Sequence, residues 1–288
     1  MSPTRRPWLR RIVLALCACA ALAGCAALDV KQSEWIFRPV KEDWRGLAGA
    51  PAGVEELWLT LPGGKERLHA WWAPREGAPV LLYLHGARWN LSGSSFRIER
   101  WRAMGFAVLA IDYRGFGRSD GERPSEAQAY EDARVAWQWL AARVPEPARR
   151  FIYGHSLGGA IAIDLAAQLP SDAAGGLIVE STFTSIRDVV AASDYGWLPV
   201  GLFITQRFEA EEKMRRVRLP TLIMHGTADR VIPHEMADRL YAAAPGPKRL
   251  AKFEGANHSG SAWRAAEAYA QAVREFVVFA AATRNAAR

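Results

Sequence analysis

The chain has 288 residues, 50% of them hydrophobic and 23% charged, which is enough for one self-stabilised domain of the larger α/β kind. Its formal net charge is +7, but four of its 37 basic residues stand at the amino terminus, where there is no acidic residue: Arg5, Arg6, Arg10 and Arg11. The remaining 33 basic residues face 30 acidic ones, a net charge of +3, with no basic run that contains interleaved aromatic residues, so we exclude a nucleic-acid partner.

The amino terminus has the pattern of an export signal. The four arginines precede an uncharged apolar run over residues 12–23, which is shorter than the about 20 residues that a membrane-spanning helix needs. We therefore expect residues 1–24 to be a signal peptide and the protein to lie outside the cytoplasm. Cys17 and Cys19 fall inside this signal and only Cys25 remains, so no disulfide is expected.

The signal closes with Leu22-Ala23-Gly24-Cys25, which resembles the lipobox of bacterial lipoproteins. This resemblance implies cleavage before Cys25 and attachment of diacylglycerol to its sulfur, which would hold the protein on a bacterial membrane. A plain signal peptide or an uncleaved anchor is the alternative. The residue after the cysteine is Ala26 and not aspartate, which resembles the pattern of lipoproteins that Gram-negative cells sort to the periplasmic side of the outer membrane.

The segment after the signal differs in character from the rest of the chain. Residues 25–52 are mixed in composition and predict a tether to a folded domain over residues 53–288. The one apolar cluster of the tether, residues 35–39, predicts that it docks once on the domain, and a disordered linker is the alternative. Residues 57–61 and 68–72 then flank a Pro-Gly-Gly turn, which predicts an antiparallel strand pair.

Uninterrupted apolar runs of strand length follow, at residues 80–84, 107–111, 151–153, 177–179 and 221–224. Such runs suit strands buried on both faces, and helical patterns lie between them, so we expect an α/β fold with a mostly parallel sheet. Ligands of such sheets bind outside the carboxyl ends of the strands, so the chemistry is expected there. Residues 182–216 interrupt the alternation and predict a small helical cap.

One of the strand-to-helix turns has the sequence of a nucleophile elbow. The run at 151–153 ends in Gly154-His155-Ser156-Leu157-Gly158 and continues as a helical pattern. A sharp turn of this kind has no room for side chains two positions on either side of the nucleophile, which accounts for the two glycines. Ser156 is therefore the candidate nucleophile.

A serine hydroxyl needs a general base, and the base needs a carboxylate to orient it. Of the six histidines, His258 is the candidate, because it lies in the loop between a strand at 248–253 and a final helix at about 262–281. Asp229, in the loop after the 221–224 strand, gives the chain order Ser, Asp, His that nucleophile-elbow enzymes have. Glu180, at the end of the 177–179 strand, is the competing acid.

The developing oxyanion needs two backbone N–H donors, one after the nucleophile and one from the loop after the third strand. These positions are Leu157 and Ala87.

The glycine-rich segment 112–119 is interpreted as a structural loop, with a phosphate cradle as the alternative, because it lacks the Lys-Ser/Thr ending of a P-loop. No His-Glu-x-x-His or paired-cysteine spacing is present, so neither a metal nor a cofactor is expected.

With these motifs in place, the chain resembles the α/β-hydrolase superfamily over about residues 35–279. Within it, the Asp-Tyr-Arg-Gly-Phe-Gly-Arg-Ser segment at 112–119 and the Glu-Ser-Thr-Phe-Thr-Ser segment at 180–185 look most like BEM46/ABHD13/ABHD17-like serine hydrolases, which are related to prolyl-oligopeptidase catalytic domains. The resemblance implies an α/β-hydrolase fold with helices on both sheet faces. The sequence departs from these relatives at Ala87-Arg88, where they often carry asparagine followed by asparagine or glycine.

The expected activity is hydrolysis of a carboxylic ester through an acyl-enzyme formed on Ser156. The substrate is expected to be a small-molecule or lipid acyl ester, because the cap contains apolar residues. A thioesterase or depalmitoylase, or a peptidase with the same machinery, is the alternative among enzymes. An inactive lipid-anchored scaffold or binding protein with this fold is the alternative outside enzymes.

Overall fold

The computed structural model describes residues 7–44, 49–194, 196–197, 201 and 203–286. Its first helix, α1 (Pro7–Phe37), runs through most of the expected signal and the first part of the expected tether, and Cys25 is exposed on it. Arg5 and Arg6 of the expected signal, residues 45–48 of the tether, and residues 195, 198–200 and 202 of the cap lie outside the described residues. Within the described part of the chain, no helix is long and apolar enough to cross a membrane.

A central sheet organises the described chain. Its strands are β1 (Glu55–Thr60), β2 (Arg67–Ala73), β3 (Val80–Leu84), β4 (Ala107–Ile111), β5 (Arg150–His155), β6 (Gly176–Glu180), β7 (Thr221–Gly226) and β8 (Lys248–Phe253). They lie in the order β1-β2-β4-β3-β5-β6-β7-β8. Strand β2 is antiparallel to both β1 and β4, and the other neighbours are parallel. The expected fold class, a mostly parallel sheet with an antiparallel amino-terminal pair, is confirmed.

Helices cover both faces of this sheet. They are α2 (Leu91–Ala103), α3 (Glu126–Arg143), α4 (Leu157–Ala167), α5 (Ile186–Ala191), α6 (Ala210–Met214), α7 (Glu235–Ala243), α8 (Ser261–Arg264) and α9 (Ala266–Ala286). Leu82 and Leu84 of β3 belong to the hydrophobic cluster that contains residues of α3, α4 and α7, whereas Leu81 and Tyr83 belong to the cluster that contains residues of α2 and α9. This two-sided burial is the reason for the uninterrupted apolar runs. The expected single final helix is instead divided at Ala265, between α8 and α9.

Helix α3 shows how a local signal sets an element. The Ser125 side chain accepts a hydrogen bond from the backbone N–H of Gln128 and caps the first turn. The apolar positions that follow at helical spacing, among them Ala133, Trp137 and Leu140, are buried against the sheet. Capping and one buried stripe together fix where this helix starts and which face it turns inward.

The segment expected to form a cap contains the short helices α5 and α6. Its second half belongs to the core, because Phe208, Ala210 and Met214 are buried in the cluster on the α3 and α4 face. Its first half includes Trp197, whose surface is 79% exposed. Some of the apolar residues of this segment therefore pack against its own domain.

Candidate active site

The turn between β5 and α4 isolates one residue, Ser156, whose φ is 55° and ψ is −121°. This conformation costs a non-glycine residue about 1–3 kcal/mol, and the surrounding backbone must impose it. The N–H of Ser156 donates to the carbonyl of Glu180 at 2.9 Å, and its carbonyl accepts from Thr182 Oγ1 at 2.8 Å. A Cβ on Gly154 would overlap the carbonyl of Gly158, and one on Gly158 would overlap the carbonyl of Leu84. Both glycines are thus required by close backbone approach.

The three predicted catalytic side chains form one row of hydrogen bonds. His258 lies between β8 and α8, and its Nε2 is 3.0 Å from Ser156 Oγ. Its Nδ1 is 2.7 Å from Oδ2 of Asp229, which lies in the loop after β7. Residues that stand 102 and 29 positions from His258 in the chain therefore meet at the carboxyl edge of the sheet. Both ring nitrogens of His258 are engaged, one on the nucleophile side and one on the acid side.

Asp229 is held ionised by the groups around it. Its Oδ1 accepts the N–H groups of Val231 at 2.8 Å and Ile232 at 2.9 Å, and its Oδ2 accepts from both His258 and His225. Burial raises the pKa of Asp229, but the hydrogen bonds from His225, His258 and the backbone outweigh burial and hold that pKa well below its usual range.

Sequence reasoning missed the part that His225 plays. The residue is fully buried near the end of β7, and its Nε2 is 3.1 Å from Asp229 Oδ2 and 3.1 Å from the carbonyl of Ile232. Two acceptors surround this nitrogen, so it must carry the proton and donate it. The signal available was its position four residues before Asp229, where β7 turns into the acid loop.

The competing acid, Glu180, is bound elsewhere. Its Oε2 accepts hydrogen bonds from Tyr153 at 2.6 Å and Tyr269 at 2.9 Å, and its Oε1 is 3.5 Å from Nη1 of Arg97. Glu180 is 0% exposed and Arg97 is 6% exposed, so this pair is buried. The carboxylate that contacts His258 is that of Asp229.

His155 connects this buried pair to the histidine loop. Its Nε2 is 3.2 Å from Nη2 of Arg97 and 3.0 Å from the carbonyl of His258. Burial, with the positive charge of Arg97 and the neighbouring His258, holds the pKa of His155 well below its usual value. When Nε2 of this neutral ring carries the proton, it donates to the carbonyl of His258, and Arg97 lies beside it without accepting or donating that hydrogen bond.

The two predicted oxyanion donors flank the serine. Leu157 is the first residue of α4, so its N–H is one of the amides that a helix leaves without an internal partner. The loop that carries Ala87 passes close to the nucleophile, since a Cβ on the preceding Gly86 would lie 3.3 Å from the Cβ of Ser156. Within the described residues, neither amide donates a hydrogen bond to the protein.

The glycine-rich segment at 112–119 uses its arginines internally. Arg114 donates from Nε to Asp132 at 2.8 Å and from Nη2 to Glu131 at 2.5 Å. Arg118 donates to Glu56 at 2.6 Å. Protein carboxylates already occupy these donors, so the segment acts as a structural loop and not as a phosphate cradle.

The chain is similar to known proteins in three comparisons: with a family model, with curated relatives and with solved structures. Residues 76–202 and 201–260 match the family model described as serine aminopeptidase, S33. The chain is 31% identical over 208 residues to the protein bem46 of Schizosaccharomyces pombe, covering 70% of this chain and 68% of that protein. It is 33% identical over 222 residues to the lysophosphatidylserine lipase ABHD12 of Danio rerio, covering 67% of this chain and 56% of the lipase.

The fold also has a solved counterpart. The esterase Pf2001 of Pyrococcus furiosus superposes with a TM-score of 0.67 at 18% sequence identity, over 83% of this chain and 97% of the esterase. Identity at this level shows a shared architecture. The family to which the chain belongs is shown by the sequence matches, and not by this structural likeness.

Proposed function

The chain belongs to the α/β-hydrolase superfamily, and on this premise we propose that it is an esterase- or lipase-like hydrolase, which cleaves carboxylic esters through a Ser156-His258-Asp229 triad. The observation that carries the proposal is the unbroken row of hydrogen bonds from Asp229 Oδ2 through His258 to Ser156 Oγ, at 2.7 and 3.0 Å. The distances are those at which a base can take the proton of the hydroxyl that it activates.

In the first half of the reaction, Ser156 Oγ attacks the acyl carbonyl while its proton passes to Nε2 of His258. The carbonyl oxygen becomes an oxyanion, which the N–H groups of Ala87 and Leu157 stabilise. Asp229 stays ionised, holds the proton of Nδ1 and stabilises the imidazolium. His258 then gives its proton to the alcohol oxygen, the ester bond breaks, and an acyl-enzyme remains on Ser156.

In the second half, water takes the place of the alcohol. His258 accepts a proton from the water as its oxygen attacks the acyl carbon, and a second oxyanion forms at the same two amides. When this intermediate collapses, Oγ of Ser156 leaves and recovers the proton from His258. The products are the carboxylic acid and free enzyme, and none of these steps needs a metal or cofactor.

The substrate proposal is a small-molecule or lipid acyl ester. The relative ABHD12, a lysophosphatidylserine lipase, supports a lipid ester, although this chain spans about half the length of that protein. A peptidase that acts by the same triad is the second candidate, because the matching family model is described as a serine aminopeptidase. A panel of p-nitrophenyl esters, acyl thioesters and aminoacyl anilides separates these activities by their kcat/KM values.

We further propose that Cys25 carries a lipid and that the enzyme works outside the cytoplasm, at a bacterial membrane. The lipobox pattern supports this, and the exposure of Cys25 on α1 leaves its sulfur accessible. Two or three acyl chains suffice for stable anchoring, at about 0.8 kcal/mol for each buried CH₂. The variant Cys25→Ser should appear in the soluble fraction; if it stays in the membrane fraction, the anchor proposal is wrong.

The central test is the nucleophile. The wild type should hydrolyse a short-chain p-nitrophenyl ester and be labelled by a fluorophosphonate, and Ser156→Ala should do neither while showing an unchanged circular dichroism spectrum. Ser181→Ala is a matched control, because Ser181 also has a positive φ and lies at the end of a strand, yet it is fully buried. A folded wild type that is neither active nor labelled would refute the proposal and favour a scaffold.

A further inference from the structure

We infer that the segment which begins at the last residue of α1, residues 37–44, positions the amide of Ala87, with Phe37 as its principal positioning residue. The inference rests on the proposed function, because it takes Ala87 as an oxyanion donor. We call residues 37–44 the bracing segment and residues 85–90 the oxyanion loop. The sequence predicts that residues 35–39 dock on the domain, but it does not show that they contact the oxyanion loop, which lies more than 40 positions later in the chain.

Hydrogen bonds join the bracing segment to the oxyanion loop at several points. The carbonyl of Phe37 accepts the N–H of Arg88 at 2.9 Å, next to Ala87 in the chain. Nδ2 of Asn90 donates to the carbonyl of Glu42 at 2.8 Å and to that of Val40 at 3.3 Å. The loop is thus held from its middle and from its end by one stretch of backbone.

The bond from Arg88 acts on the conformation of the loop. Arg88 has a φ of 68°, in the left-handed region that favours glycine and asparagine. Arg88 has a Cβ, so this conformation is strained, and the surrounding structure must hold it there. The peptide group between Ala87 and Arg88 is therefore fixed by its partner, the Phe37 carbonyl, and not by the preference of the residue. The N–H of Ala87 belongs to the preceding peptide group, between Gly86 and Ala87. The direction in which it points therefore depends on the hydrogen bond from Arg88 to the Phe37 carbonyl, which fixes the next peptide group.

Phe37 itself is fixed by packing. Its side chain is 0% exposed, and its ring centroid lies 5.7 Å from that of Phe208 and 6.3 Å from that of Phe116. At the other end, the ring of Trp44 packs against that of Trp89, with centroids 5.1 Å apart and the ring planes tilted by 33°. A rigid ring at the start of the bracing segment and a ring pair near its end leave the segment little freedom, so its carbonyls are fixed acceptors.

The same bracing segment connects two proposed sites. Helix α1 carries Cys25 and ends at Phe37, so the element proposed to bear the lipid leads directly into the brace of the oxyanion loop. Asp29 and Gln32 of this helix also bind Thr205, at 2.6 and 2.7 Å. The helix proposed to bear the lipid is therefore continuous with the segment that contacts the oxyanion loop.

The test compares two core phenylalanines in the full-length chain. Phe37→Ala removes the ring that fixes the bracing segment, whereas Phe276→Ala removes an equally buried ring on the opposite face of the sheet, packed on Phe151. With folded protein and a short-chain p-nitrophenyl ester, Phe37→Ala should lower kcat about tenfold to hundredfold with little change in KM, because a displaced oxyanion donor weakens the transition state. Phe276→Ala should leave kcat within about twofold of the wild type, because its loss acts on stability alone. Phe37→Leu should restore most of the lost kcat.

A second variant covers the case in which Phe37→Ala does not fold. Asn90→Asp retains the side-chain oxygen that caps α2 by accepting from Gly93 at 2.9 Å, but it loses the donors to Val40 and Glu42. It should lower kcat with KM nearly unchanged. Equal kcat in Phe37→Ala and Phe276→Ala, or a wild-type kcat in Asn90→Asp, would overturn the inference while the esterase activity stood. A wild type without activity or fluorophosphonate labelling would instead refute the proposed function on which the inference rests.

Discussion

The substitution Asp229→Asn tests the acid of the triad through the tautomer of its partner. Oδ1 of Asp229 accepts two backbone N–H groups, from Val231 and Ile232, and this side must remain an oxygen in the variant. The new amide nitrogen therefore replaces Oδ2 and faces Nδ1 of His258. An amide N–H can only donate, so Nδ1 becomes the acceptor and the imidazole proton moves to Nε2, the atom that must take the proton of Ser156.

The expected loss follows from this exchange of roles. The same change of carboxylate to amide in a serine protease triad lowers kcat by about 10⁴, with the geometry intact. At about 1.36 kcal/mol for each factor of ten, this corresponds to about 5.4 kcal/mol of transition-state stabilisation. We expect a loss of this order in kcat for a short-chain p-nitrophenyl ester at pH 7.5, with KM nearly unchanged, because Asp229 does not contact the substrate in the proposed mechanism.

Glu180→Gln is the matched control, because it makes the same chemical change in the competing acid. Its side chain stays hydrogen-bonded to Tyr153 and Tyr269, and it does not contact His258. We expect this variant to retain kcat within about tenfold of the wild type, since no proton in the proposed mechanism passes through it. If Glu180→Gln lost more activity than Asp229→Asn, or if Asp229→Asn remained within tenfold of the wild type, the tautomer argument would be refuted.

Three further outcomes are expected. Gly158→Ala should lower the free energy of unfolding by about 3 kcal/mol in urea titrations, because the new Cβ overlaps the Leu84 carbonyl; a stability unchanged from the wild type would contradict this. Arg97→Met should destabilise by about 3–5 kcal/mol because it leaves the Glu180 carboxylate buried and unpaired, and the double variant with Glu180→Gln should recover most of this loss. The pKa of Asp229 is depressed on folding, so Asp229 contributes stability that is complete above an unfolded pKa of about 4 and lost as the pH falls below it. The stability difference between wild type and Asp229→Asn should therefore shrink from pH 7 to pH 3.

The fold could be predicted from the sequence because its signals are local and repeated. Each strand of the parallel sheet is a short apolar run that ends at a turn, and Val80–Leu84 and Ala107–Ile111 begin and end where the runs do. Ser125 marks the start of α3 by its side chain. The prediction of a single final helix was wrong. The helix is interrupted at Ala265, between α8 and α9, and no glycine or proline stands there to indicate the interruption.

The candidate site was predictable only as far as its residues lie in recognisable loops. The glycines on either side of Ser156 indicate the sharp turn of the elbow. Asp229 and His258 follow the last two strands in the expected order. The buried pair of Arg97 and Glu180 was not predictable, because its partners stand 83 positions apart and neither belongs to a motif for pairing. Such contacts arise from packing of the whole domain, which no local pattern encodes.

Two of the strained backbone positions of the described chain, Ser156 and Arg88, lie at the proposed chemistry. Among the residues that the structure describes, the non-glycine positions with positive φ are Arg38, Arg88, Ser156, Ser181 and Phe208. Each costs about 1–3 kcal/mol, so the surrounding fold must hold it in place. Ser156 is held by β6 and Arg88 by the bracing segment, and the ring of Phe208 packs on Phe37. A substitution that loosens the support of Ser156 or Arg88 should therefore impair the chemistry before it unfolds the sheet, because the strain of these two residues is released at the site.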